Sequence, residues 1–266
     1  MTNESFIYSF KVIGFERKQI ASNIAEALGE EVKYQGPPTF AYLIAGWRVD
    51  RNGVVTSPEI EDNKILRTVL EALKTAGVIP EGNGTVTLPL NDHDGNSLRN
   101  TVNIIWSKQK LIQKALDWQA SIIPAGLVNA INAVPIDSLE EFAEAVNKAI
   151  DAGAIEEDSQ LEFDLIDKSI SFSFFNAILN IEEVLAYRTL CQLINEQGRK
   201  QKFSSTNQRE VINEKYAFRV WLLKLGFIGE IFKTERKILL SKLDGDAAYR
   251  TIEAKQAAGE KRKALR

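Results

Sequence analysis

Between Phe6 and Ile13 apolar and polar positions alternate, with Phe6, Tyr8, Phe10 and Val12 set against Ser9 and Lys11. A period of two is that of a half-buried strand. The period then lengthens, because Ile20, Ile24 and Leu28 recur every fourth residue. That spacing predicts a helix over Arg17–Leu28, with Gly29 as its stop. From Thr39 to Val49 aromatic and β-branched residues accumulate, Asp50-Arg51-Asn52-Gly53 offers an Asn-Gly turn, and Val54-Val55-Thr56 returns. This predicts a hairpin. A second helix is expected over Ile65–Ala76, striped by Ile65, Val69 and Leu73 and closed by Gly77, after which Gly82-Asn83-Gly84 opens a strand over Thr85–Leu90.

In Asn91–Leu116, Asn96 or Ser97 is read as the cap of a helix whose core stripe is Leu98, Val102, Ile105, Ile112 and Leu116, with Arg99, Asn100 and Asn103 off it. A shorter apolar segment, Leu127–Ala133, follows. Ser138 and Glu141 make a capping box for a helix carrying Leu139, Phe142, Val146 and Ile150. Gln160–Ile166 and Ser169–Phe174 alternate around Asp167-Lys168 and predict another hairpin; Asn180 and Glu183 then cap a helix with Val184, Tyr187, Cys191 and Ile194 on one face. Finally, Asn213–Gly245 places two apolar-faced helical segments around Gly226-Phe227-Ile228-Gly229, studded with Lys215, Arg219, Lys224, Lys233, Arg236 and Lys237. The pattern is that of a basic αα-hairpin. Hairpins outnumber strand-helix-strand crossovers, so the expected class is α+β: a largely antiparallel sheet with packed helices, followed by a C-terminal helical region. The Ala/Lys/Arg-rich stretch Ala254–Arg266 is expected to fray.

Charge sharpens this division. Of 33 Lys+Arg and 36 Asp+Glu in 266 residues, 17 and 8 fall in Arg199–Arg266, a net of +9, which leaves 16 and 28 before it, a net of −12. All seven prolines lie in the first 135 residues. We therefore expect an acidic α+β body over 1–178 and a basic helical region over 179–266. Opposite fields at the two ends suit an acidic partner, whether protein or nucleic acid, or a second copy of the chain. One cysteine excludes an intramolecular disulfide, no run reaches membrane-spanning length and Lys11 interrupts the N-terminal apolar stretch, so a cytoplasmic setting without membrane contact is expected.

Catalytic chemistry is sparse. His93 is the single histidine, between Asp92 and Asp94, and cannot by itself complete a multi-histidine metal pattern. Cys191 sits on an apolar stripe, so a buried, unreactive thiol is expected. Gly82-Asn83-Gly84 lacks the Lys-Ser/Thr of a phosphate loop. The adjacent carboxylates Glu30-Glu31, Glu140-Glu141, Glu156-Glu157 and Glu182-Glu183 diverge on any regular element and suit caps or solvated faces. No cofactor is expected. The candidate partner-binding residues are Lys215, Arg219, Lys233, Arg236 and Lys237 on the hairpin, and His93, Arg99 and Asn100 at the mouth of the strand-loop-helix turn. Trp221 and Phe218 fit the hairpin's packing core.

Three blocks, VKYQGPPTFAYLIAGWRVDRNGVV (32–55), LPLNDHDGNSLRNTVNIIWSKQKLIQKAL (88–116) and NEKYAFRVWLLKLGFIGEIFKTERKILLSKLDGDAAYRT (213–251), resemble a family carried on phages and integrative elements of Firmicutes and often labelled "virulence-related protein". The resemblance implies a mobile-element context and brings no established activity or catalytic residues. The loop around His93 and the helix start Ser97-Leu98-Arg99-Asn100 also look like one segment of amidoligases, carboxylate-amine ligases related to glutamine synthetase. No recognisable carboxylate or nucleotide-binding set accompanies them. The leading expectation is a non-enzymatic binding protein of a phage or mobile element that engages a host or defence factor. The alternatives are a nucleic-acid-binding accessory protein and an amidoligase-like enzyme or its inactive derivative.

Overall fold

The computed structural model describes residues 4–155 and 158–251, with 256, 257 and 260. Glu156-Glu157 and most of 254–266 lie outside the described residues. In chain order come β1 (Ile7–Val12), α1 (Arg17–Leu28), β2 (Lys33–Tyr34), β3 (Tyr42–Ile44), β4 (Trp47–Val49), β5 (Val54–Thr56), α2 (Asn63–Thr75), β6 (Pro80–Pro89) and α3 (Gly95–Leu116). They are followed by α4 (Ala125–Asn132), α5 (Leu139–Asp151), β7 (Leu161–Asp164), β8 (Ser169–Asn176), α6 (Ile181–Lys200), α7 (Glu214–Leu225), a 3-10 turn (Glu230–Phe232) and α8 (Lys233–Leu240).

The strands form one sheet in the order β2-β3-β4-β5-β1-β6-β8-β7, antiparallel at every pairing. The α+β class and its antiparallel sheet are therefore as the alternation implied. Tyr8, Phe10 and Val12 of β1 and Ile170, Phe172 and Phe174 of β8 are buried on one face. The opposite face is part-exposed and carries hydroxyl pairs across strands, Thr85 to Ser173 at 3.0 Å and Thr87 to Ser171 at 2.8 Å. One face packed and one face polar is the usual solution for an antiparallel sheet.

The structure revises several sequence expectations. Thr39–Val49 is not one strand but β3 and β4, because Ala45 and Gly46 both take positive φ, 44° and 87°, and turn the chain so that Ile44 pairs with Trp47. Glycine after a residue in the left-handed region is what a two-residue hairpin requires. β6 begins at Pro80 rather than after Gly84, and its pairing shifts register between Gly84 and Val86, where a Cβ on Gly84 would come within 2.7 Å of the Phe175 ring. The helix expected to begin at Asn96 or Ser97 is capped by Asp94, whose carboxylate accepts from Ser97 N at 2.7 Å, while Ser97 Oγ accepts from Asp94 N at 2.8 Å. Ser97 is the reciprocal partner of a capping box, not the cap. Ile65 and Ile150 stand half-exposed instead of joining their stripes, and Leu66, Val69, Leu70 and Leu73 bury the face of α2.

α6 packs along α3, and α8 packs on α6. One apolar core runs from Phe6 to Leu243, continuous across the junction at 178/179. Among the described residues no helix is long and apolar enough to cross a membrane.

Candidate anion-binding face

The two groups of sequence-predicted residues occupy different environments. His93, Arg99 and Asn100 belong to the N-terminal end of α3, where it meets α6 and the segment that follows it. His93 is buried, and its Nδ1 lies 2.9 Å from Ser97 Oγ. Burial, then the neighbouring Arg199, push its pKa down to about 4 against the opposing pull of Asn195, Asp94 and Asp92. The Asn195 side chain sits beside the ring and favours its charged form, but neither Asn195 amide atom nor His93 Nε2 completes a hydrogen bond of good geometry. A neutral imidazole accounts for this arrangement. Arg199 is held by Glu4 Oε1 at 2.7 Å and donates to Asn91 O at 3.0 Å, so it closes the same seam.

Asn100 is almost completely buried and donates to Gln201 O at 2.7 Å; Asn103 donates to Asn132 Oδ1 at 2.9 Å and to Ser204 O at 3.2 Å. Arg99 is half-buried and bonds Asn96 Oδ1 at 2.7 Å and Val134 O at 3.2 Å. These side chains occupy their polar atoms in fastening the 201–204 segment and the end of α4 to α3.

The hairpin is also divided by the structure. α7 is capped by Asn213, whose Oδ1 accepts from Tyr216 N while its Nδ2 donates to Asp246 O at 3.0 Å and Tyr249 O at 2.7 Å. One residue thus starts the helix and ties down the chain after α8. Phe218, Leu222 and Leu225 bury the inner face of α7, whereas Trp221 is only partly buried against Phe218. Lys215 and Arg219 flank that face on the side of the 244–249 segment, where Lys215 N donates to Asp244 O at 3.0 Å and Arg219 Nη1 to Ala247 O at 3.4 Å. In α8, Arg236 turns inward and donates to Phe227 O at 2.9 Å and Gly229 O at 2.8 Å, closing the glycine-flanked turn. Lys233 and Lys237 remain on the outer surface, Lys233 beside Glu230 at 2.9 Å.

A cluster missed by sequence reasoning lies on the other flank of α7. A cleft of about 60 Å³ is lined by Ser107, Lys108, Lys110 and Leu111 of α3, by Gln208, Arg209 and Val211 of the connecting segment, and by Ala217 of α7. Arg209 and Lys224 both act on the half-buried Lys108 amine, which burial first and these two cations next push below its ordinary pKa. Among the described residues neither Lys108, Lys110, Arg209 nor Lys224 has an ion-pair partner. Further along α3, the carboxylates are engaged: Lys114 lies 2.7 Å from Asp244 and 2.6 Å from Glu214, and Lys242 lies 3.6 Å from Asp117.

Two negative features define the chemistry. No group of three His, Cys, Asp or Glu side chains suited to a metal ion occurs among the described residues. Cys191 is fully buried, and burial raises its thiol pKa. The arrangement can hold negative charge through ammonium and guanidinium groups. Comparison of the chain with protein-family models and with curated proteins returned no match.

Proposed function

We propose that this chain is a non-enzymatic binding protein whose helical region, from α7 through α8 with the facing side of α3, engages an acidic partner. The observation that carries this reading is a group of cations that make no ion pair among the described residues: Lys108, Lys110 and Arg209 line one cleft, Lys224 acts on Lys108, and Lys237 is exposed on α8. Electrostatic complementarity of this kind steers association and sets specificity. The resemblance of 32–55, 88–116 and 213–251 to the phage and integrative-element family makes a host or defence factor of a bacterial cell the partner we favour.

The amidoligase-like reading is weaker. The segment that resembles those enzymes centres on His93 and Ser97, which are buried and committed to each other and to the start of α3. The nucleic-acid reading shares the cations with the leading one and is separated from it by salt, since displacement of counterions from phosphates makes such binding fall steeply with ionic strength. The test is affinity capture from host lysate with the native chain and with a Lys110→Glu, Arg209→Glu, Lys237→Glu variant. These three side chains are exposed and make no ion pair among the described residues, so their reversal reads the surface.

A further inference from the structure

We propose that the cleft between Ser107–Leu111 of α3, the 208–211 segment and α7 is a phosphate subsite, lined by the cations Lys108, Lys110 and Arg209. The proposal rests on the reading that the helical region takes an acidic partner, and it names the anion that partner presents. Half-burying an ammonium beside two further cations is unfavourable on two counts, desolvation and like-charge repulsion, unless an anion completes the site. The lowered pKa of Lys108 has those two causes in that order.

Size and donor geometry narrow the anion. A cleft of about 60 Å³ is far smaller than the pockets that enclose drug-sized ligands and suits a compact anion such as phosphate. Lysine donates as a compact point charge, and arginine adds a planar fork that fits two phosphate oxygens. Gln208 fixes the connecting segment from outside, its Nε2 donating to Trp106 O at 3.0 Å, so Arg209 is presented from an anchored backbone. The cleft is also not isolated. Lys110 lines a second, open groove of about 700 Å³ that continues along α3 past Gln113, Lys114 and Asp117, the last 3.6 Å from Lys242, to Trp118. A groove of that volume takes a nucleoside, and the half-buried Trp118 indole offers a surface on which a base stacks. A phosphate in the small cleft would therefore carry its sugar and base toward Trp118.

The same phosphate chemistry comes from a free ion, a mononucleotide or a nucleic-acid strand, and the experiment separates these sources. Binding of inorganic phosphate, AMP and a short single-stranded oligonucleotide is measured by calorimetry, each against chloride at matched ionic strength. Native protein is compared with Lys108→Gln, with Arg209→Gln and with the remote control Lys18→Gln. We expect saturable phosphate binding that either cleft substitution weakens at least tenfold and the control leaves unchanged. Tighter binding of the oligonucleotide than of AMP, lost in the same variants, assigns the phosphate to a strand; equal affinities assign it to a nucleotide.

Because the half-buried Lys108 amine faces two further cations, Lys108→Gln should also raise the melting temperature in phosphate-free buffer by roughly 1–3 °C, an outcome that a merely structural lysine does not give. Absence of saturable binding by all three ligands, or variants that bind as the native protein does, overturns the proposal. If that happens while the Lys110, Arg209 and Lys237 charge-reversal variant still loses its partner, the phosphate subsite falls and the acidic-partner reading stands. If neither set of substitutions changes binding, both fall.

Discussion

At the scale of single residues, burial converts charge into commitment. Arg236 shares a helical face with Lys233 and Lys237 in the sequence, yet its guanidinium reaches two carbonyls of the turn before α8. Hydrogen bonds from a charged donor contribute more than neutral ones, so Arg236→Gln should destabilise the fold by ~1–2 kcal/mol, while Lys237→Gln should change it by less than ~0.5 kcal/mol. Urea denaturation of the two variants measures the contrast. Equal losses would mean that the guanidinium bonds do not hold the turn. His93 makes a second residue-scale prediction. Its folded pKa, about 4, lies below its ordinary value, so the unfolded chain binds the extra proton as pH falls. The stability contributed by neutral His93 is complete above about pH 6.5 and is lost progressively down to about pH 4, by up to ~3 kcal/mol. Other acid-labile contacts, such as the Glu4 to Arg199 pair, contribute to the same limb. The informative quantity is therefore the difference from His93→Gln, which should shrink between pH 6.5 and 4.5. A constant difference would place the proton elsewhere.

At the scale of elements, helices and their ends were the most legible features. Gly29 takes φ 68° and stops α1 through its backbone N–H, the Ser138 and Glu141 capping box starts α5, and Asn180 caps α6, all from groups within four residues of those they satisfy. The Asp94 cap of α3 is as local, three residues from Ser97, and was missed because Asn96 and Ser97 stand nearer the apolar stripe. What was illegible depends on neighbours distant in the chain. Lys108 and Arg209 are about a hundred positions apart, and no periodicity in either segment announces that they line one cleft. Asn100 and Asn103 read as an exposed polar edge from their spacing, but the chain returning after α6 covers them.

The contact between α3 and α6 supplies a sharper test at this scale. A Cβ at Gly198 would collide with the Thr101 side chain and approach Ser97 O to 3.0 Å. Alanine favours a helix interior over glycine by ~1 kcal/mol, whereas overpacking costs ~1–3 kcal/mol. Because Thr101 is itself fixed by its bond to Ser97 O at 3.0 Å, we expect the collision to win. Gly198→Ala should lower the melting temperature, and adding Thr101→Ala should recover much of the loss. A stabilised single variant would mean that the two helices separate readily.

At the scale of the molecule, the acidic body and the basic C-terminal portion share one apolar core and exchange ion pairs in both senses: the basic portion's Arg199 with Glu4 and Lys242 with Asp117, and the body's Lys114 with Glu214 and Asp244. The body's negative charge thus has access to part of the basic region, and the cations left without such contacts are what the binding reading depends on. The most direct measurement is the partner retained from host lysate by native protein and by the Lys110→Glu, Arg209→Glu, Lys237→Glu variant at matched folded concentration. The account predicts an acidic partner that is eluted by salt from the native chain and absent from the variant, with their melting temperatures within ~2 °C because exposed charges contribute little to folding. Recovery of the same partners by both proteins would contradict it.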